Sequence, residues 1–372
     1  MIKLNIKNDP EQVNSFVALM KIMGKDGAEG LAAREAIAKL FGPTVTQVLN
    51  QAATYKPFFG QYSYNFGGVP ELPIDAFDRN TEGLIDVWSS SIPGSLATNH
   101  ISGGDVFRMT TFPYDTAISL LKRDAENGRF EILTKGIERA VQEVLVKTQF
   151  QAWQTILRAL GGARANGAAQ LVSSTTTNVL QPADFEKLQT KVKRFRTSWV
   201  GGTPTNAPGR GITHYVLSPE MISQVRSWGY EPVNTRPGSI TTSGATAVPL
   251  PDQIRMSIWN NSGLPEIPGI GKFVELLEFG VGQAYNSVFD SGYTEGVGDP
   301  TFNSATDELV LGVDLSVEAA VQLTASDSDR TSELEFKMDD QFSARSGRIG
   351  WYAELETGFG VVDTKAYAGI IV

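Results

Sequence analysis

The sequence predicts an α+β protein of two or three domains built around one long helix. Three observations lead to this prediction: a helical pattern from about Phe130 to Leu160, a series of short strand patterns that begins near Ala319, and a linker-like composition at 163–182. The length of 372 residues exceeds what one small hydrophobic core usually serves. The chain is therefore long enough to bury a sizeable interior.

The composition excludes several classes of function. Cysteine is absent, so disulfides, thiolate nucleophiles and cysteine-ligated metals are ruled out. His100 and His214 are the only histidines, and they stand far apart, without the spacing of a zinc pair. The net charge of −9 means that nucleic acid could be bound only through a local basic patch. No membrane-spanning stretch and no secretory signal are visible, so we expect no membrane association, no cofactor and a chain made in a cytoplasm.

Residues 1–74 begin with two helical patterns. The first surrounds Met20 and Met23, and the second has apolar positions three and four residues apart up to Phe41, where Gly42 and Pro43 are expected to end it. From residue 55 to residue 73 aromatic residues, glycine and proline dominate. This much apolar surface needs cover, either from a neighbouring subunit or from the chain's own domain. The candidates for a contact between subunits are Tyr55, Phe58, Phe59 and Tyr62.

Two strand patterns at 84–88 and 106–111 predict one long hairpin. The residues between them include three serines in a row, a Pro-Gly pair and a Gly-Gly pair, a composition that favours a projecting hairpin over a packed turn. Trp88, Phe107 and Met109 are its candidates for contacts with neighbouring subunits, with packing inside the subunit as the equal alternative. Trp88→Ala is expected to weaken assembly more than folding.

Pro113 is expected to start a helix that covers 114–127 and ends at Gly128. The long helix follows, and Gly161-Gly162 ends it. It has two apolar stripes, one formed by Leu133, Ile137, Val141, Leu145, Ala152 and Ile156 and the other by Val146, Phe150, Trp153, Leu157 and Leu160. Beyond the linker at 163–182, helix patterns at 184–196 and 219–228 alternate with strand patterns at 213–217, 273–279 and 309–313, and a further helix is expected from about Pro251. Ser218 is expected to cap the helix that begins at Pro219.

The last part of the chain reads as strands. They are predicted at 319–324, 333–338, 349–355, 358–362 and 367–372. Ile349, Trp351, Ala353 and Leu355 alternate with more polar positions, as in a sheet with one buried face. We expect the long helix to cover that face.

This order of segments, together with two stretches of sequence, resembles the major capsid proteins of tailed bacteriophages, which have the HK-ninety-seven fold. The stretch from Arg348 to Asp363, RIGWYAELETGFGVVD, looks like the closing strands of such proteins, and the stretch from Thr213 to Pro219, THYVLSP, looks like the strand-to-helix junction of their inserted domain. The likeness in element order covers nearly the whole chain. The motifs themselves are short.

The resemblance implies a domain plan and a set of partners. Residues 1–74 would be an N-terminal arm, 75–112 an extended hairpin loop, 113–182 and 317–372 a peripheral domain with a spine helix on a β-sheet, and 183–316 an inserted α+β axial domain. The chain would assemble with itself as hexamers and pentamers of an icosahedral head shell in the virion. It would meet a portal protein, a scaffolding protein, a cement protein and packaged double-stranded DNA, the last without sequence specificity. No large N-terminal segment is expected to be removed.

The remaining motifs have simple explanations. No phosphate-binding loop is present, and the Ser119 to Lys122 spacing of a Ser-x-x-Lys motif lacks its companion motifs. The aspartates near Asp327 and Asp339 fit turns better than a cation site. The densest basic run gives a helix face that is either solvated or directed at the genome or at an acidic neighbour, with Lys187, Lys191 and Arg194 as its candidates.

The sequence supports three candidate functions to different degrees. The best supported is a shell subunit of a tailed phage. An encapsulin-like compartment shell or another phage head protein is the alternative, and an enzyme comes last because no acid, base and nucleophile converge.

Overall fold

The computed structural model describes residues 10–25, 27–65, 67–73, 106–165, 168–195, 211–230, 266–267, 270–326, 334–339 and 347–372. The chain divides into two compact units. Unit 1 takes its residues from the ranges 1–72, 108–152 and 321–360, and unit 2 from 73–107, 153–320 and 361–372. Each unit is therefore assembled from parts of the chain that are distant in sequence.

The described part of unit 1 consists of three helices, the first part of a fourth and longer helix, and nearly all of a five-stranded sheet. Its helices are α1 (Pro10–Met23), α2 (Ala28–Ala52), α3 (Lys122–Glu126) and α4 (Phe130–Gly162), the last of which continues into unit 2. Its strands are β1 (Gly60–Asn65), β4 (Phe112–Leu121), β12 (Ala320–Ser326), β13 (Glu335–Asp339) and β14 (Arg348–Val361). A short pair, β2 (Glu71–Pro73) and β3 (Val106–Arg108), forms a separate two-stranded sheet.

The five-stranded sheet of unit 1 is organised around β14. The strand order is β1-β12-β14-β13, and β4 pairs along β14 in addition. The pairing of β4 with β14 is antiparallel and runs from Arg348 opposite Leu121 to Thr357 opposite Phe112. Strand β1 pairs with β12 in parallel.

Helices cover one face of this sheet. The core of unit 1 joins apolar residues of α1, α2, α4 and β14: Met20, Met23, Ala33, Ile37, Leu133, Ile137, Val141, Val144, Ile349, Trp351, Ala353 and Leu355. The buried Arg34 ties α1 to α2, because its guanidinium donates to the carbonyls of Met23 (3.0 Å) and Lys25 (3.3 Å) at the end of α1. These carbonyls would otherwise lack partners within the helix.

Unit 2 is built on a six-stranded mixed sheet. Its strands, in the order in which they pair, are β7 (Leu171–Ser173), β15 (Tyr367–Ile371), β11 (Leu309–Val313), β8 (His214–Leu217), β10 (Gly271–Glu275) and β9 (Glu266–Ile267). Its helices are α5 (Pro182–Phe195), α6 (Pro219–Tyr230) and α7 (Ala284–Gly292). A small hairpin joins β5 (Arg164–Ala165) to β6 (Ala168–Ala169).

Helices α5 and α6 share one core with the six-stranded sheet. Phe185, Leu188 and Val192 of α5 and Met221, Ile222 and Val225 of α6 join the buried side chains of β8, β10, β11 and β15. Every residue of β11 and β15 is buried. Both faces of these central strands are therefore covered.

The α+β class and most of the elements predicted from the sequence are confirmed. The long helix, the helices that begin near residues 184 and 219, and the strands at 213–217 and 309–313 appear with small shifts of their ends. The hydroxyl of Ser218 accepts a hydrogen bond from the amide of Met221 (3.2 Å), as a capping serine should. The predicted strand at 84–88 and the predicted helix near Pro251 lie outside the described residues.

The helix predicted at 114–127 is wrong, because residues 112–121 form β4. Tyr114 and Ile118 are four residues apart, a spacing that places two side chains on one face of a helix and also on one face of a strand. The half-buried or buried positions Tyr114, Ile118 and Leu120 fit the period of two. Only the short helix α3 remains of the prediction.

Three boundaries also differ from the predictions. Helix α2 continues through Gly42 and Pro43 to Ala52, although Pro43 has no amide hydrogen to donate within the helix. The patterns at 349–355 and 358–362 form one strand, β14.

The third difference concerns the linker at 163–182, whose residues Leu171–Ser173 are β7, a strand of the six-stranded sheet. The two compact units divide inside α4, between Ala152 and Trp153. The last strand, β15, pairs with β7 and β11 instead of joining the sheet beneath the long helix. Assignment of the chain to arm, extended loop, peripheral and axial domains stays a prediction.

Candidate assembly surfaces

The N-terminal region contacts its own unit over the part that the structure describes. Helices α1 and α2 lie on the sheet of unit 1, and the rings of Tyr55, Phe58 and Phe59 are buried. Tyr55 and Phe59 each meet the ring of Phe359 edge to face, with centroids 5.3 Å apart. For these residues packing within the chain accounts for the burial, and a contact with a neighbouring subunit stays a prediction.

The other aromatic candidates are placed differently. Tyr62, on β1, is half-buried, as is Phe107 on β3, whereas Met109 is buried. The amide of Met109 donates to the carbonyl of Pro70 (3.1 Å), just beyond the β2–β3 pair. Trp88 lies outside the described residues. A contact of Tyr62 or Phe107 with a neighbouring subunit stays a prediction.

The strands β2 and β3 form the root of the predicted hairpin. The Nε of Arg108 and Oε1 of Glu71 lie 2.8 Å apart across this root, with the arginine side chain largely exposed. Residues 74–105, a segment of 32 residues, lie between the two strands and outside the described residues. The chain thus leaves this root and re-enters it at one place.

A polar group beside the root was not predicted from the sequence. Tyr64 Oη donates to Oε1 of Glu356 at 2.6 Å, and Thr111 Oγ1 donates to the same oxygen at 2.8 Å. Tyr64 belongs to β1, Thr111 precedes β4 and Glu356 belongs to β14. A tyrosine, a threonine and a glutamate so far apart in sequence form no local motif, and only the pairing of the strands brings them together.

The predicted basic face of α5 is partly engaged within unit 2. Lys187 Nζ donates to Thr175 Oγ1, and Lys191 Nζ donates to the carbonyl of Leu171, both at 2.6 Å. Burial lowers the pKa of Lys191 below its ordinary value. Lys193 and Arg194 at the end of the helix are exposed. A contact of Lys187, Lys191 or Arg194 with the genome stays a prediction.

The long helix also presents apolar side chains at its surface. Val146 is 63% exposed, and Ile132 and Phe150 are exposed as well. They belong to the part of α4 in unit 1, and two of them, Val146 and Phe150, belong to one of the predicted stripes. The other members of that stripe, Trp153, Leu157 and Leu160, are buried. The stripe thus changes from exposed to buried along the helix.

One carboxyl of unit 2 is buried without a countercharge in the described part of the chain. The amide of Val281 donates to Oε1 of Glu308 (3.3 Å), while Oε2 of Glu308 has no hydrogen-bond partner there. Burial raises the pKa of Glu308 above 4.5, the nearby Glu220 adds to the rise, and hydrogen bonds from Ser218 and Val281 oppose it. Because its pKa is raised in the folded chain, Glu308 makes the stability of unit 2 depend on pH.

The described residues offer little for catalysis or metal binding. His214 Nδ1 lies 3.0 Å from Thr213 Oγ1, and Ser119 lies on an exposed position of β4. No group of three His, Asp or Glu side chains is placed to hold a metal ion in these parts of the chain. Within the same ranges, none of the helices has the length and apolar character that a membrane crossing requires.

Solved structures similar to this chain include shell proteins. The capsid of an empty GTA particle aligns at 11% identity over 87% of this chain and 88% of the other, with a TM-score of 0.46. The mature capsid of bacteriophage PhiM1 aligns at 10% identity over 86% of each chain, with a TM-score of 0.45. The SrpI encapsulin complex of Synechococcus elongatus aligns at 12% identity over 72% of this chain and 74% of the other, with a TM-score of 0.37. No family model and no curated protein matches the sequence.

Proposed function

We propose that this chain is the major capsid protein of a tailed bacteriophage, a subunit that assembles with copies of itself into an icosahedral shell around double-stranded DNA. The observation that carries the proposal is the root of the hairpin. Strands β2 and β3 pair with each other, and the 32 residues from 74 to 105 lie between them in the sequence. We expect these residues to form a hairpin that reaches a neighbouring subunit.

The frame behind the root supports the same role. Helix α4 has 33 residues, about 50 Å at 1.5 Å per residue, and its first part packs on the sheet of unit 1. The chain returns to that sheet through β12, β13 and β14 after it has passed through residues 153–320 of unit 2. A rigid frame that fixes the β2–β3 root suits a subunit that must keep its place among copies of itself in an assembly.

The proposed partners follow from this role. Hexamers and pentamers of the chain would form the shell in the virion, with a portal protein at one vertex and scaffolding or cement proteins during or after assembly. The exposed Lys193 and Arg194 of α5 would contact packaged DNA through its phosphates, without reading sequence. No reaction is needed for any of these tasks, so we propose a structural protein and not an enzyme.

Electron microscopy of the purified chain tests the proposal. Closed icosahedral particles are expected when the chain is expressed alone or with its scaffolding protein. Protein cargo inside such particles, instead of protected DNA after infection, would favour an encapsulin-like compartment. A chain that stays monomeric at high concentration, with and without a scaffold, would contradict both readings.

A matched variant tests the hairpin itself. Replacing residues 74–105 by a short Gly-Ser turn keeps the β2–β3 root and removes only the projecting segment. We expect this variant to fold with nearly unchanged thermal stability and to form no shells. Trp88→Ala is expected to lower the assembly yield more than the melting temperature. Shells of normal yield from the shortened variant would show that the hairpin is not an assembly element.

A further inference from the structure

The polar group beside the hairpin root joins the end of β1 and the start of β4 to one oxygen atom. Tyr64 precedes β2 on the incoming leg, and Thr111 follows β3 on the outgoing leg. Both hydroxyls donate to Oε1 of Glu356, at 2.6 Å and 2.8 Å, and the two hydroxyl oxygens lie 3.0 Å apart. All three side chains belong to unit 1. Glu356 therefore links the end of β1 and the start of β4 through their side chains, in addition to the backbone pairing of β1 with β12 and of β4 with β14.

A glycine next to this group brings the outgoing leg against β14. At Gly358, two residues beyond Glu356, a Cβ atom would lie 2.6 Å from the carbonyl oxygen of Thr110 and 3.1 Å from Cγ2 of Thr111. The first distance is far shorter than a normal contact and involves backbone, which cannot move away easily. Only glycine lets Thr110 and Thr111 approach this closely. The close approach and the shared oxygen are independent observations of one attachment point.

The other polar contact of the root has a different role. The ion pair of Glu71 and Arg108 joins the two legs to each other, and its arginine side chain is 76% exposed. It does not attach either leg to β14. Exposed ion pairs of this kind are screened by water and salt and contribute little to stability. This pair serves as a natural control for Glu356.

We propose that Glu356 is a positioning residue that holds the β2–β3 root in place at the edge of unit 1. This inference rests on the proposed shell function. Residues 109–111 connect β3 to β4, and Glu356 and Gly358 of β14 hold this connection. Loss of the hydrogen bonds to Glu356 would loosen the root, whereas the backbone pairing of β4 with β14 would keep the unit folded.

Hydrogen exchange of the unassembled full chain and shell yield test the proposal together. In Glu356→Ala, we expect amide exchange at residues 109–112 to accelerate about tenfold, as loss of a hydrogen bond of ordinary strength allows. Shell yield should fall by a similar factor. Glu356→Gln keeps an oxygen acceptor and should recover part of both losses. Glu71→Ala should leave exchange at residues 109–112 and shell yield unchanged.

A paired variant guards against misfolding of Glu356→Ala. Tyr64→Phe with Thr111→Val removes both donors while keeping their shapes nearly intact, and it should reproduce both effects. Adding Glu356→Ala to this pair should then change little, because its partners are already gone. Normal exchange and normal shells in these variants would overturn the proposal. If the wild-type chain forms no shells, the shell function fails, whereas the exchange data still decide whether Glu356 holds the root.

Discussion

Trp153 offers the sharpest test of how the long helix supports unit 2. Its indole is completely buried, and its ring centroid lies 6.5 Å from those of Phe279 and Tyr285. Burying about 200 Å² of an aromatic side chain at about 25 cal/mol per Å² contributes up to about 5 kcal/mol. Because the cavity left by Trp153→Ala collapses only in part, we expect a loss of about 3–5 kcal/mol.

This loss should be visible in calorimetry of the unassembled chain. For a unit of this size, about 2–4 °C is lost per kcal/mol, so the transition of unit 2 should fall by roughly 10 °C. Trp153→Phe should fall less, because it retains most of the ring contacts. Val146→Ala, two turns earlier on α4 and 63% exposed, should change stability by no more than about 0.5 kcal/mol. Melting of Trp153→Ala within about 2 °C of Val146→Ala would refute the packing argument.

Three further variants test other parts of unit 2. Burial raises the pKa of Glu308 above 4.5, so the wild-type chain loses stability as the pH rises from 4.5 through the raised pKa. Glu308→Gln should therefore have a higher melting temperature than the wild type above this pH range, and no higher melting temperature below pH 4.5. Gly312→Ala would place a Cβ atom 2.6 Å from Cδ1 of the buried Ile212 and should cost about 1–3 kcal/mol in urea unfolding, with partial recovery when Ile212→Val is added. Lys193→Glu combined with Arg194→Glu should leave the melting temperature nearly unchanged and reduce the nuclease-protected DNA per particle, and filled heads at normal yield would end the proposed DNA contact.

The sequence predicts elements well where one periodicity dominates. The apolar positions of α4 and the alternation of Ile349, Trp351, Ala353 and Leu355 identify a long helix and a sheet with one buried face, and the structure packs them together. The prediction fails where the same residues fit both the helical period and the strand period. Tyr114 and Ile118 fit a helix or a strand, and only the addition of Leu120 favours β4.

Pairing between distant segments is the part that local patterns do not contain. Residues Tyr367–Ile371 have no polar position, a composition that is typical of a strand buried on both faces, and this signal could have separated β15 from the sheet that covers α4. Nothing comparable marks Glu356. Its partners Tyr64 and Thr111 lie 292 and 245 residues away, and only the completed sheet brings them within hydrogen-bonding distance.

The central place of β15 has a consequence for biosynthesis. This strand lies between β7 and β11, so the earlier strand β7 has no neighbour in its sheet until residues 367–371 have left the ribosome. Contacts across almost two hundred residues also slow folding, because the intervening loop must close first. The six-stranded sheet of unit 2 can therefore be completed only after residue 371 has been translated, so the core that the sheet shares with α5 and α6 closes late.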